Sequence, residues 1–466
     1  MNYNTDQINA LANGLTDLVC AGLAEAHKSG QAPTIGQVEQ DMRELLRQIG
    51  QQALGQCLSQ ADSTPVSEQP CACGCTLHYQ RRREAKVLSV FGWVTYRRSY
   101  YAGCACGRGY APLDKQFGLE PGHVTSGLAA LLGQAGVELP FEHSQKWLKA
   151  YLLFEVSENT IRQETERFGA LQQVRETELQ KRSQDEAYLQ ERLRTTTVRP
   201  GRLYGSVDAA KVRMLTEEKA ENAEKWRDLK VGCWYTAECV SPTYGSARQR
   251  AKHARGERVY RAMGMRYYAD MLEAEKFGKL FWATGCQALA DLAQELVFVC
   301  DGAVWIWNLV THYYPQAKQI VDWYHAVERL EQLAPLAFAD PAQRQAWLER
   351  VSDALWEGRV EEVVQACTQV AQHSHLTEAH QAVTYFSNNL ARMRYADFRQ
   401  QGYLIGSGTV ESGCKQIVTQ RLKCAGAQWS ETGAIQTAKA RAAWLSDEWP
   451  ALCQARQQIS ALPLAA

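Results

Sequence analysis

At 466 residues and 45% hydrophobic content, the chain is long enough for two to four domains with real cores. Lys plus Arg and Asp plus Glu both number 51, so the net charge is zero, which argues against a uniformly basic nucleic-acid binder while allowing local basic patches. No run of about 18 apolar residues is present to span a membrane, and the opening MNYNTDQINALANG lacks a basic stretch followed by an apolar one, so no secretory signal is expected.

Residues 1–60 carry helix-spaced apolar positions, among them Leu11, Leu15, Val19, Leu23, Met42, Leu45, Leu46 and Ile49, consistent with a bundle or a partner helix. ADSTPVSEQP (61–70) has the composition of a linker. In the segment 70–115 the unit CACG occurs twice, at Cys71-Ala-Cys73-Gly and Cys104-Ala-Cys106-Gly, with the strand-rich KVLSVFGWVTYRRSYY between. Two cysteine knuckles joined by a β-hairpin form a zinc-ribbon pattern: four thiolates suit tetrahedral Zn²⁺, and the glycines permit close backbone approach to sulfur. Cys75 competes as a ligand. A hairpin with little core is expected to draw much of its stability from the metal. Arg81, Arg82, Arg83, Arg97 and Arg98 decorate the hairpin and suit phosphate contact or a solvated face. The remaining cysteines, of 15 in all, include several in apolar runs, and read as reduced thiols of a cytosolic protein.

From 123 to 198 the pattern is helical. Three short helices, the last with Ser157 as N-cap, fit a helix-turn-helix or a generic bundle. The third is expected to continue as a charged spacer toward Arg194. Past Arg199-Pro200-Gly201 the reading becomes α/β over 201–332. Strands are expected at Leu203–Ala209, Val231–Cys239, Leu296–Cys300 and 319–323, with helices over Glu273–Ala293 and 303–314. The segment Thr243–Arg266 is rich in Lys and Arg, including Arg248, Arg250, Lys252 and Arg255, and reads as a solvated or phosphate-facing loop. Residues 333–400 read as an all-helical insertion. Residues 401–447 complete the α/β domain: a Gly-Ser-Gly turn (Gly406, Ser407, Gly408) opens a helix expected to reach Lys423, with Gly426 as its stop, before a basic C-terminal helix.

Two strand-like runs end in acids, LYGSVDAAKV with Asp208 and ELVFVCDGAVWIW with Asp301, and Glu411 sits in the first turn of the late helix near Lys415, Arg421 and Lys423. Asp, Asp and then Glu is the order of a two-metal phosphoryl-transfer site on a ribonuclease H-like sheet. Hard Mg²⁺ or Mn²⁺ ions held by carboxylates activate one oxygen and stabilise the leaving one. Trp429, with Arg421, Lys423 and Arg441, is a candidate DNA contact or a core residue closing the turn. The readings that remain open are a ribonuclease H-like nuclease that cuts without joining, a non-catalytic DNA-binding factor and a structural zinc protein.

The stretches VCDGAVWIWNLVTHYYPQAKQIVDWYHAVERL and YLIGSGTVESGCKQIVTQRLKCAGAQWS resemble bacterial insertion-sequence transposases of the DDE type, most closely the Kra-type family; YRRSYYAGCACGRGYAPLD is similar to that family's zinc region. The resemblance covers residues 70 to 445. It implies a catalytic triad of Asp208, Asp301 and Glu411, with Asp322 and His325 as a supporting pair. It further implies Mg²⁺ or Mn²⁺ in the site, Zn²⁺ in the hairpin, binding to transposon-end and target DNA, a homodimer or larger homo-oligomer, and a cytoplasmic, nucleoid-associated location. The chain departs from the pattern in having Ala209 where Gly commonly follows the first acid, and Asp322 competes with Asp208 for that place.

Overall fold

The computed structural model describes all residues except 1–4, 29–32, 72, 216–224, 240–259, 375–376, 407 and 460–466. It is a mixed α/β structure in two compact units: Met1–Gly136, Phe141–Glu164 and Cys453–Ala466 form one, Val137–Pro140 and Thr165–Leu452 the other. Among the described residues no helix is long and apolar enough to cross a membrane.

In the first unit, Thr34 starts the helix Ile35–Gln60 through a reciprocal capping box with Gln37. The helix lies on a three-stranded antiparallel sheet of β1 (Glu68–Pro70), β2 (Thr76–Ser89) and β3 (Gly92–Ala102). Gly55 makes the close approach possible, since a Cβ there would meet the Thr95 carbonyl oxygen at 2.5 Å. Leu58, Val87, Val94, Tyr96 and Leu113 form a core beneath the helix. The linker is anchored as well: the buried Asp62 carboxylate accepts from the Ser99 amide at 3.0 Å and hydroxyl at 2.8 Å. Helices follow at Ser126–Glu138 and Phe141–Leu152; the helix Glu158–Arg182, with Ser157 accepting from the Thr160 amide, begins in this unit and from Thr165 belongs to the second. The expected continuous spacer breaks after Arg182, because Asp185 caps a new helix, Glu186–Thr195.

The second unit is built on a five-stranded sheet in the order β6-β5-β4-β7-β8. β4 (Arg202–Arg213) pairs antiparallel with β5 (Trp226–Cys239), and β5 pairs antiparallel with β6 (Tyr260–Asp270). β7 (Glu295–Cys300) and β8 (Lys318–Val321) run parallel to β4. β6 corrects the sequence reading, which ran the basic loop through to Arg266: the strand starts at Tyr260 and is bent at Gly264, whose φ is +61°. The four basic residues named in that loop, Arg248, Arg250, Lys252 and Arg255, lie outside the described residues. Residues 333–400 contain four α-helices, Pro341–Trp356, Val360–Ser374, Thr377–Asn388 and Tyr395–Gln400, after the helix Trp323–Ala337. The late helix is shorter than expected. It runs Gly408–Cys414, passes into a π-turn at Lys415–Thr419, and gives way to a turn in which Gly426 has φ +77°.

Candidate active site

Three similar runs, SVD within β4, VCD at the end of β7 and IVD at the end of β8, bring an aspartate to one level of the sheet. Gly205 lies opposite Phe298 in the parallel β4–β7 ladder, and Cys300 lies opposite Val321 in β7–β8. Counting on three residues from Gly205 and one from Cys300 sets Asp208, Asp301 and Asp322 level across three neighbouring strands. Adjacent strands are about 4.8 Å apart, so the three backbones present their acids at close spacing. Sequence reasoning gave Asp322 a supporting place and held it as a rival to Asp208 for the first ligand. The repeated run was the available signal for its equal standing, but the register that aligns the three is a property of the sheet.

Each aspartate is fixed locally. Asp208 Oδ1 accepts from the Ala209 amide at 2.7 Å, and the Cys414 thiol is hydrogen-bonded to the same carboxyl. Burial pushes the Asp208 carboxyl above the usual aspartate range, and Asp301 adds to the push. Asp301 Oδ1 accepts from the Ala303 amide at 2.9 Å, and its carbonyl accepts from the Tyr385 hydroxyl at 3.0 Å. Gly302 between them has φ +93°, and a Cβ there would strike the Tyr385 ring at 2.7 Å. Asp322 is fully buried and caps the helix Trp323–Ala337 through the His325 amide at 2.8 Å.

Glu411 comes from the helix Gly408–Cys414, which packs across β4 and β5. His325 Nδ1 stands 3.1 Å from Asp322 Oδ1 and 3.5 Å from Glu411 Oε1. Ligand atoms of Asp322, His325 and Glu411 all lie within 4.8 Å of one another, close enough to share a metal ion. The hydrogen bond to Asp322 raises the His325 pKa to about 9, against the opposing effect of burial, with Glu411 and Asp301 contributing. Without a metal this favours the imidazolium form of His325, which faces the carboxylates of Asp322, Glu411, Asp301 and Asp208. At about 5 Å and an effective dielectric near 20, each like-charged pair costs on the order of 3 kcal/mol. An edge with that charge density is suited to divalent cations, and hard carboxylate oxygens suit Mg²⁺ or Mn²⁺. Tyr385 and Cys414, which brace two of the acids, carried no sequence signal.

A second candidate metal centre lies in the first unit. The sulfurs of Cys71, Cys73, Cys104 and Cys106 lie within 4.8 Å of one another, and Cys75 is outside the group. Measured contacts are 3.3 Å for Cys71–Cys73, 3.1 Å for Cys73–Cys104 and 3.5 Å for Cys71–Cys106. These exceed the disulfide length of about 2.05 Å and fall slightly short of the roughly 3.8 Å edge of a tetrahedron with 2.3 Å metal–sulfur bonds. The two knuckles repeat each other. The Gly74 and Gly107 amides each donate to the carbonyl of the cysteine three residues earlier at 3.0 Å, both glycines having positive φ. The Cys104 sulfur pulls the Cys73 thiol down to about 6, helped by the Cys75 amide, and the Arg108 amide lowers Cys106. Cys71 and Cys104 are pushed up within the same cluster, so, thiolates being the metal-binding form, a cation would have to displace protons there.

The predicted DNA contacts divide. Arg81, Arg82, Arg83, Arg97, Lys415 and Lys423 are exposed, although Arg82 approaches Asp62 at 3.3 Å and Arg83 stacks on the Tyr100 ring. Four others are internal, which corrects their assignment. Arg98 is held by Asp114 at 2.5 Å. Arg421 is 2% exposed and lies over the Trp429 ring. Trp429 is itself buried and donates its indole N–H to the Leu422 carbonyl at 2.9 Å. Arg441 donates to the carbonyls of Gln416 and Val137. Trp429 and Arg441 satisfy backbone oxygens, Arg98 a carboxylate, and all four side chains are packed inside the protein.

No protein-family model matches the chain, and no curated protein matches it.

Proposed function

We propose that this protein is a metal-dependent enzyme that cleaves and rejoins DNA strands, a DDE-type transposase whose catalytic unit is a ribonuclease H-like sheet with a helical insertion. The observation that carries the reading is the level alignment of Asp208, Asp301 and Asp322 across β4, β7 and β8, with Glu411 brought beside them by a later helix. Asp208, Asp301 and Glu411 are the residues to hold Mg²⁺ or Mn²⁺, and Asp322 orients His325 beside them. Bound divalent cations supply an activated oxygen nucleophile and a stabilised leaving oxygen. The chain's own part is positioning: Tyr385 fixes the backbone at Asp301, and Cys414 holds the Asp208 carboxyl. His325 Nδ1 holds a proton between Asp322 and Glu411. The exposed Lys415 and Lys423, near Glu411 in sequence, suit phosphate contact, as do Arg81, Arg83 and Arg97 on the hairpin. The four-cysteine cluster takes Zn²⁺ as a structural ion on this reading. Joining two transposon ends calls for at least two copies of the chain.

The test is a reaction of purified protein with a plasmid carrying the DNA that flanks its gene, in Mg²⁺ or Mn²⁺. Nicking at element ends followed by insertion into a second plasmid, abolished by Asp301→Ala, is the expected result. Cutting with no joined product selects the simpler nuclease. DNA binding with no cutting by the wild-type protein under any divalent ion removes the enzyme reading.

A further inference from the structure

Nothing assigned above uses the outer faces of the first two helices, Thr5–Lys28 and Ile35–Gln60. The helix Ile35–Gln60 is apolar on two sides. Leu54 and Leu58 pack on the hairpin core, and Gly50 and Gly55 bring the backbone close to the Phe91 ring and the Thr95 carbonyl. At about 100° per residue, Ile35, Val38, Met42, Leu45 and Ile49 line the opposite side, spaced alternately three and four residues apart. Ile35 and Ile49 are 75% and 44% exposed, and the adjoining Leu46 is 50% exposed.

The helix Thr5–Lys28 carries a stripe of its own, with Leu15, Leu18, Val19 and Leu23 on one side and Leu18 58% exposed. Among the described residues this helix runs closely along no other element, and Ile35–Gln60 runs closely along β3 alone. Gly14 and Gly22 weaken the first helix from within. A helix in a folded protein draws most of its stability from packing of its apolar face, so this one calls for a partner.

Two helices of 24 and 26 residues are about 36–39 Å long, and with axes about 9 Å apart they offer roughly 650 Å² per copy. A standard specific interface takes about 800 Å² from each partner, so the area suits one stable contact. Two copies, each bringing two stripes of similar length, close four helices around one apolar core. The same surface on both copies is what a two-fold contact requires. We propose that the chain dimerises through residues 5–60, the first two helices of one copy forming a four-helix bundle with those of a second. The surface is separate from the DNA-processing reading, which calls for two copies without saying where they meet.

Light scattering of the full-length protein, without DNA, should give twice the mass of the chain at about 10 µM. Leu18→Glu with Ile49→Glu, both at exposed positions, should weaken dimerisation by at least about a hundredfold, because a closed bundle would bury the new charges. Hydrogen-exchange protection at residues 85–88 and 93–96, on the other side of Ile35–Gln60, should stay as in the wild type. Asp17→Lys, exposed and off the stripe, should leave the dimer intact. A photoreactive side chain placed at position 18, in isotope-labelled and unlabelled protein mixed to exchange subunits, should join a labelled to an unlabelled peptide of residues 5–60. A monomer throughout, a dimer of undiminished affinity in the double variant, or crosslinks only within one copy overturns the proposal. Should the double variant lose protection at 85–88 and 93–96 as well, the crosslink decides. None of these results touches the cleavage test with Asp301→Ala.

Discussion

Asp208 must ionise in a half-buried place beside a second carboxylate, and burial with that neighbour raises its pKa. A carboxyl raised in the folded state costs nothing below its unfolded pKa of about 3.9 and takes stability away as pH climbs through the interval up to its folded value. Asp208→Asn keeps the size and removes that loss. In the absence of metal, its melting temperature at about pH 7 should equal or exceed that of the wild type, and the difference should close as pH falls toward about 4. Mg²⁺ should then raise the melting temperature of the wild type and not of the variant, while cleavage falls about a hundredfold or more. Asp322 behaves differently because its carboxylate caps a helix. Asp322→Ala should cost about 1 kcal/mol through the lost cap, measured by denaturant unfolding, whereas Asp322→Asn should cost less, since Asn also caps. If Asp322→Asn is inactive and Asp208→Asn cleaves normally, the first metal ligand is Asp322.

At the scale of elements, the strands of Asp301 and Asp322 were legible because buried parallel strands are short apolar runs, with the acid just past the last residue; β4 runs on to Arg213 past Asp208, which its apolar start did not show. β6 was not legible, because its neighbouring segment is so basic that charge concealed the strand, and edge strands tolerate Arg and Lys on their exposed positions. The cysteine pattern was legible in full, down to the glycines, because knuckle geometry is local. The packing around it was not. The hairpin is not short of core, since the half carrying Val87 and Val94 packs on the helix Ile35–Gln60, and the half carrying Leu77 and Tyr101 packs around Cys71 and Cys104. Removing the metal should therefore loosen one half only. On chelation or in Cys104→Ser, amides of residues 76–79 and 100–102 should lose hydrogen-exchange protection, while those of 85–88 and 93–96 keep most of theirs. Uniform loss along both strands would mean that the metal holds the whole hairpin.

Over a whole unit, what the sequence concealed is pairing between distant positions, and charged residues show it best. Lys439 belongs to the basic C-terminal helix of the sequence reading; it is 1% exposed, in contact with Glu176 and 2.7 Å from Asp270. The three come from the helix Glu431–Leu445, the helix Glu158–Arg182 and the edge strand β6, so one ammonium ties the end of the second unit to its beginning and its middle. A Lys at such a place is readable only once its partners are known, and the closest partner in sequence is more than 150 residues away. Removing one member of a buried ion group leaves the others uncompensated, which costs about 3–5 kcal/mol, while replacing all of them by neutral residues is often close to harmless. Lys439→Met should thus lower the melting temperature by about 10 °C at neutral pH. Burial already raises the Glu176 carboxyl, and loss of the ammonium removes what offsets that rise. The stability of the variant should consequently fall further as pH rises from about 4 to about 7, and Glu176→Gln with Asp270→Asn in the same chain should restore most of it and flatten the profile. A Lys439→Met protein that melts like the wild type across that range would show that the trio does not hold the unit together.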